Sequence, residues 1–98
     1  MHARVTTLDM EPAKVDEVRD RLETEDVPGF EKLDGFKGMT LLTDRQGGKT
    51  VAITFWESED SLRASEDAVQ GARQRAAEGG GAGEPQVERF EVILDTMA

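Results

Sequence analysis

Five carboxylates crowd one short stretch: Glu57, Glu59, Asp60, Glu66 and Asp67. Paired carboxylates can divide acid and base work when their surroundings separate their pKa values. On a chain with 21 acidic residues, however, a solvated helix face is the default reading of such a group. Trp56, the one tryptophan, could wall an aromatic pocket. It could equally pack at a strand–helix junction with its N–H bonded locally. Arg4 could bind an anion, or run its stem along a sheet and pair with a helix acid. His2 is the one histidine and its pKa range suits a general base. Its place beside Met1 makes an exposed, frayed position the simpler expectation. There is no cysteine and no tyrosine, which removes disulfides, thiolate ligands and cysteine nucleophiles. No His pair, HExxH, GxGxxG or GxxxxGK[ST] is present, so neither a metal nor a nucleotide cofactor is expected.

These residues need elements to hold them. Ala3 to Met10 reads as a strand, its β-branched residues suited to a pleated surface. Pro12 fits the first turn of a helix, and Val15, Val18 and Leu22 follow at helical spacing. Pro28-Gly29 should end or kink that helix, and Phe30 and Leu33 should fold back onto the core. Gly35 to Gly38 punctuates, and Met39 to Thr43 is a strand. Asp44 to Gly48 is a hairpin loop, and Thr50 to Trp56 is the clearest strand of all. Ser58 is the expected N-cap of a second helix running to Glu78, with Leu62, Val69, Ala72 and Ala76 as its apolar stripe and Ala64 and Ala68 widening it. Glu78 to Gly83 is a flexible stop, and Gln86 to Leu94 is the last strand.

The order β-α-β-β-α-β predicts one α+β domain over residues 1–98. It would be ferredoxin-like: a four-stranded antiparallel sheet with two helices on one face. The strands are apolar on both faces, unlike a half-solvated sheet. Val51, Ile53 and Phe55 oppose Ala52 and Trp56, Met39 and Leu41 oppose Leu42, and Phe90, Val92 and Leu94 oppose Val87 and Ile93. Two helices cover one face, so a second copy should cover the other, giving a homodimer through the sheet face. Met10, Met39 and Met97 read as core or interface filler. The balance of 12 basic against 21 acidic residues, a net charge of −9, argues against nucleic acid and anionic membrane surfaces as partners. No signal peptide and no membrane span are visible, so a cytoplasmic protein is expected.

The run Val51-Ala52-Ile53-Thr54-Phe55-Trp56-Glu57-Ser58-Glu59-Asp60-Ser61-Leu62-Arg63-Ala64-Ser65 resembles the strand-to-helix signature of the antibiotic biosynthesis monooxygenase family. Gly35-Phe36-Lys37-Gly38 and Leu42-Thr43-Asp44-Arg45 resemble its preceding hairpin, and Phe90 to Asp95 its closing strand. The resemblance spans nearly the whole chain and implies a dimeric α+β barrel. The superfamily includes cofactor-independent monooxygenases of polycyclic phenols, haem-degrading enzymes and members of no known activity. Its haem-degrading branch uses a first-strand Asn, the Trp of the Trp-Glu-Ser junction and a His on the second helix. Trp56 matches, but Thr6 or Thr7 stands for the Asn. The second helix has no His, with Glu66 where one would be sought, so haem degradation is disfavoured.

The resemblance and the residues together leave three classes. The first is a cofactor-independent monooxygenase acting on an aromatic, polycyclic phenol-like molecule, which needs a dry pocket, a base and an oxyanion donor. Arg4, Thr6, Thr54, Trp56 and Glu66 are its pocket candidates. Thr6, Thr54 and Trp56 can donate, and Arg4 is the nearby cation. No residue stands out as the base, and catalytic residues are unassigned. The second class is a non-catalytic small-molecule binder, and the third a structural dimer. The pocket should lie between the sheet and the two helices, with Trp56 and the Thr6 region in its wall.

Overall fold

A computed structural model describes residues 1–97. Four strands alternate with a helical layer: β1 (His2–Asp9), α1 (Val15–Arg21), α2 (Val27–Phe30), β2 (Phe36–Thr43), β3 (Lys49–Trp56), α3 (Glu59–Ala64), α4 (Glu66–Gly79) and β4 (Gln86–Glu91). The strands form one antiparallel sheet in the order β2-β3-β1-β4, and the helices lie on one face. The expected β-α-β-β-α-β arrangement is therefore met.

Register explains which side chains meet. Arg4 lies opposite Thr54 on one side and Arg89 on the other, while Thr6 lies between Ala52 and Val87. Because side chains alternate along a strand, Arg4, Thr6, Leu8, Thr54 and Trp56 face the helices, where all five are buried. Val5, Val51, Ile53 and Phe55 face away and are only half-buried. The same outer face carries Leu42, 51% exposed, and Phe90, 49% exposed. Phe55 and Trp56 thus separate to opposite faces as their alternation requires.

Several boundaries differ from the sequence reading. The first helical segment ends one residue past Pro28-Gly29. The helical path runs on to Phe30, and the disturbance falls before the proline, as a π-helical turn over Leu22–Asp26. There the Val27 N–H reaches back five residues to the Leu22 carbonyl. The wider turn makes room where the proline ring would otherwise strike the carbonyl four residues earlier. The second helix is broken at Ser65 into α3 and α4, and Ala64 and Ala68 are exposed rather than part of the apolar stripe. Ser65 takes their place in the interior, with Ala77. β2 begins at Phe36, and its register shift between Phe36 and Gly38 absorbs the expected glycine punctuation. β4 stops at Glu91, short of the expected Leu94. Ile93 and Leu94 are 91% and 80% exposed, past the end of β1, whose first residue His2 pairs with Glu91. Met97 is likewise exposed, whereas Met10 is core. His2 is the first residue of β1, paired across to Trp56 and Glu91, rather than frayed.

The local signals that held are physical ones. Ser58 caps α3, its hydroxyl accepting from the Ser61 N–H at 3.1 Å while Ser61 Oγ accepts from the Ser58 N–H at 3.1 Å. The β2–β3 loop closes with Gly48 at φ 83°, where an added Cβ would sit 1.9 Å from the Met10 carbonyl oxygen. The interior divides into two clusters. Leu8, Met10, Val15, Val18, Leu22, Ala76 and Ala77 form one, Phe30, Trp56, Leu62, Val69 and Ala72 the other, and Met39 packs against both.

Candidate functional site

At one end of the helix-covered face lies a filled polar knot. Trp56 is fully buried, with the Phe36 ring edge-on at 5.3 Å and the Arg4 guanidinium 5.8 Å from its ring centre. Arg4 is 1% exposed. Its Nη2 donates to the Leu62 carbonyl at 2.8 Å, to Ser65 Oγ at 3.2 Å and to Glu66 Oε2 at 2.7 Å. Arg4 therefore pins the break between α3 and α4 to the central strand. Its Nε and Nη1 are buried without partners among the described residues. Glu66 also accepts from Arg89 and lies 3.5 Å from Arg73. Burial pulls the Arg4 pKa down from its ordinary value, with Glu66 working against that loss. Burial works to raise Glu66, but the hydrogen bonds from Arg4 and Arg89 outweigh it and hold the carboxyl below its ordinary value.

Next to this knot, at the seam between the two core clusters, the packing leaves a cavity of about 40 Å³. Most of its wall is apolar: Leu8, Met10, Leu22, Phe30, Met39, Leu41 and the α4 residues Val69, Ala72 and Ala76. Its polar lining is Thr6, Thr54 and Arg73. The Trp56 indole N–H donates to Thr54 Oγ1 at 3.0 Å. That bond uses a lone pair of the threonine oxygen and leaves its O–H free to donate to something else. Leu22, Met39 and Leu41 also line an open groove of about 320 Å³ on the far side, between β2 and the first helical segment. They are thus the partition between cavity and groove.

The five sequence candidates separate into two places. Thr6 and Thr54 line the cavity. Trp56 stands behind Thr54 and is not part of the lining, and Arg4 and Glu66 belong to the knot. Arg4 was expected as the nearby cation, yet the cation in the lining is Arg73, because α4 rather than β1 passes over that end of the cavity. Arg73 carries a faint sequence signal: it follows Val69 by four and precedes Ala76 by three, within the spacing of the apolar stripe. Its side chain is only 11% exposed. His2 lies elsewhere, in a shallow depression with Glu59, Leu62, Arg63 and Phe90. Among the described residues no three His, Cys, Asp or Glu side chains gather as metal ligands. No helix among them is long and apolar enough to cross a membrane.

This geometry can be set beside known proteins. Residues 1–77 match the family model for antibiotic biosynthesis monooxygenase. The uncharacterized protein Rv2558 of Mycobacterium tuberculosis is 37% identical over 98 residues, covering 96% of this chain and 39% of that protein. Rv2557 of the same organism is 34% identical, covering 94% of this chain and 41% of that one. The chain thus spans about two fifths of the length of the curated relatives it matches. Among solved structures, the Streptomyces coelicolor monooxygenase from the gene ActVA-Orf6, in complex with nanaomycin D, superposes with a TM-score of 0.77 at 18% identity. That match covers 99% of this chain and 91% of that one. The haem degrader MhuD of Mycobacterium tuberculosis, with two haems bound, superposes with a TM-score of 0.72 at 22% identity, over 99% and 100%. At these identities the structural matches speak to the fold alone. With the family model matching more than three quarters of its length, this chain belongs to the antibiotic biosynthesis monooxygenase family.

Proposed function

We propose that this protein is a monooxygenase of an aromatic, phenol-like small molecule, working as a homodimer through the outer face of its sheet. One observation carries the reading: an apolar cavity whose polar groups are two threonines and one arginine, with Thr54 already oriented by Trp56. Such a site suits a ring with one ionisable oxygen. Thr54 donates to that oxygen and the Arg73 charge favours its anionic form. The anion of an anthrone-like substrate carries electron density onto a ring carbon. It passes one electron to O₂, and the pair joins as a C–O bond. Loss of water then breaks the O–O bond, so that CH₂ and O₂ become C=O and H₂O. The lining contains no carboxylate, imidazole, amine or phenol. Depression of the substrate's own pKa therefore stands where a side-chain base would.

At about 40 Å³ the cavity is smaller than a tricyclic ring system and must open to admit one. Met39 in the partition is the adaptable element, since its unbranched chain changes rotamer at low cost. The same small volume favours a second reading, a binding protein without turnover. Oxygen uptake over a panel of anthrones and naphthols separates the two: uptake lost in Thr54→Val supports the enzyme, and binding without uptake supports the binder. Haem fits this chain poorly, because its one imidazole, His2, lies outside the cavity.

The outer sheet face supports the dimer, since Val5, Val51, Ile53, Phe55, Leu42 and Phe90 form an apolar surface with no helix over it among the described residues. Light scattering across a dilution series should report a dimer that Ile53→Lys converts to a folded monomer. A wild-type monomer at micromolar concentration contradicts it.

A further inference from the structure

We infer that the groove beside β2 is an outer subsite of the same ligand path, and that it selects molecules bearing a positive charge at the end distal to the reacting oxygen. This rests on the reading that the inner cavity takes an aromatic ring. The geometry is one of continuity: Leu22, Met39 and Leu41 line both spaces, so a ligand that displaces them occupies both. Leu22 is also the first residue of the π-helical turn, a backbone irregularity of the kind often found at functional sites.

The charge of the groove follows from three residues. Arg19 lines it, but its guanidinium is spoken for, with Asp20 at 2.8 Å and Asp16 at 3.1 Å. Glu23 and Glu31 also line it, and neither joins an ion pair among the described residues. The only cation in the lining is thus neutralised from outside, while two carboxylates remain to act on a ligand. The Phe36 ring is in the same wall, and an aromatic face attracts a cationic group. A distal carboxylate would meet two like charges there, on a protein whose net charge is already −9. The inner end has the opposite preference, through Arg73. The complementary ligand is a planar aromatic phenol with a basic group at its far end.

Calorimetric titration of the 98-residue chain at neutral pH tests this with three probes: a naphthol, the same naphthol carrying an aminomethyl group, and the same naphthol carrying a carboxymethyl group. Affinity should fall in the order cationic, neutral, anionic, with about three- to tenfold between neighbours, as expected for two partly screened charges. In Glu23→Gln/Glu31→Gln the order should collapse while the neutral naphthol keeps its affinity. An anionic probe that binds as tightly as the cationic one, or an order that survives the double substitution, overturns the inference and leaves the aromatic cavity standing. No binding of any of the three overturns both.

Discussion

The two ends of the helix-covered sheet face each set an arginine among hydroxyl side chains, with opposite results. In the knot, an arginine, a serine and a tryptophan are packed so closely that Arg4 and Trp56 have essentially no exposure. In the cavity, an arginine and two threonines border empty space. The two are joined by the hydrogen bond from Trp56 to Thr54 and by the ion pair of Arg73 with Glu66. The comparison teaches that a buried cation is not by itself a ligand site. Arg4 is occupied in holding α3 and α4 to β1, whereas Arg73 has only a 3.5 Å ion pair to Glu66 and a free wall in front of it. The Trp56 indole holds Thr54 Oγ1 at the cavity's edge, so that on the proposed reading its hydroxyl is positioned before a ligand arrives.

The largest effect should come from the knot. Arg4→Met leaves Glu66 with one fewer cation and removes the donor to Leu62 and Ser65. Breaking one side of a buried pair costs about 3–5 kcal/mol, and the exposure of Glu66 places this case at the low end. For a domain of this size that is a fall in Tm of roughly 10 °C or more, read by thermal unfolding. A fall of under 2 °C would mean that Arg4 is not a structural pin. Arg73→Met should behave in the opposite way, with Tm changed by a few degrees at most and oxygen uptake reduced about ten- to a hundredfold, the loss that about one to two pKa units of anion stabilisation implies. Comparable effects of the two variants on Tm would erase the distinction between the regions.

A smaller effect concerns pH. The Glu66 carboxyl is held below its ordinary value of 4.5 in the fold. Its contribution to stability is therefore complete above that ordinary value and lost as pH falls through the lower, folded value. Denaturant midpoints between pH 7 and pH 3 should fall less steeply in Glu66→Gln than in the wild type. Parallel slopes would show that Glu66 gains nothing from its arginines.

Much of this architecture was legible in the sequence because alternation and capping are local. The two apolar faces of β3 and the Ser58 cap follow from neighbours two or three residues apart. What escaped depends on distant residues. Ser65 breaks the second helix because its side chain turns inward to bond the Leu62 carbonyl at 2.6 Å and to accept from Arg4, 61 residues away. The π turn before Pro28 is steadied by Asp26, which is buried against Arg75 of α4 at 2.7 Å. Arg4 and Arg73 look alike as isolated cations, and only the path of α4 over the sheet decides which of them meets the cavity.

The central claim is that Thr54 and Arg73 favour the anionic form of a bound ring oxygen. Its most direct test is the pKa of a naphthol bound to the protein, read from its absorbance across a pH titration. A cation at about 4–6 Å should lower that pKa by about 1–2 units relative to the free naphthol. The shift should vanish in Arg73→Met and persist in Glu66→Gln. A bound pKa equal to or above that of the free naphthol would contradict the account.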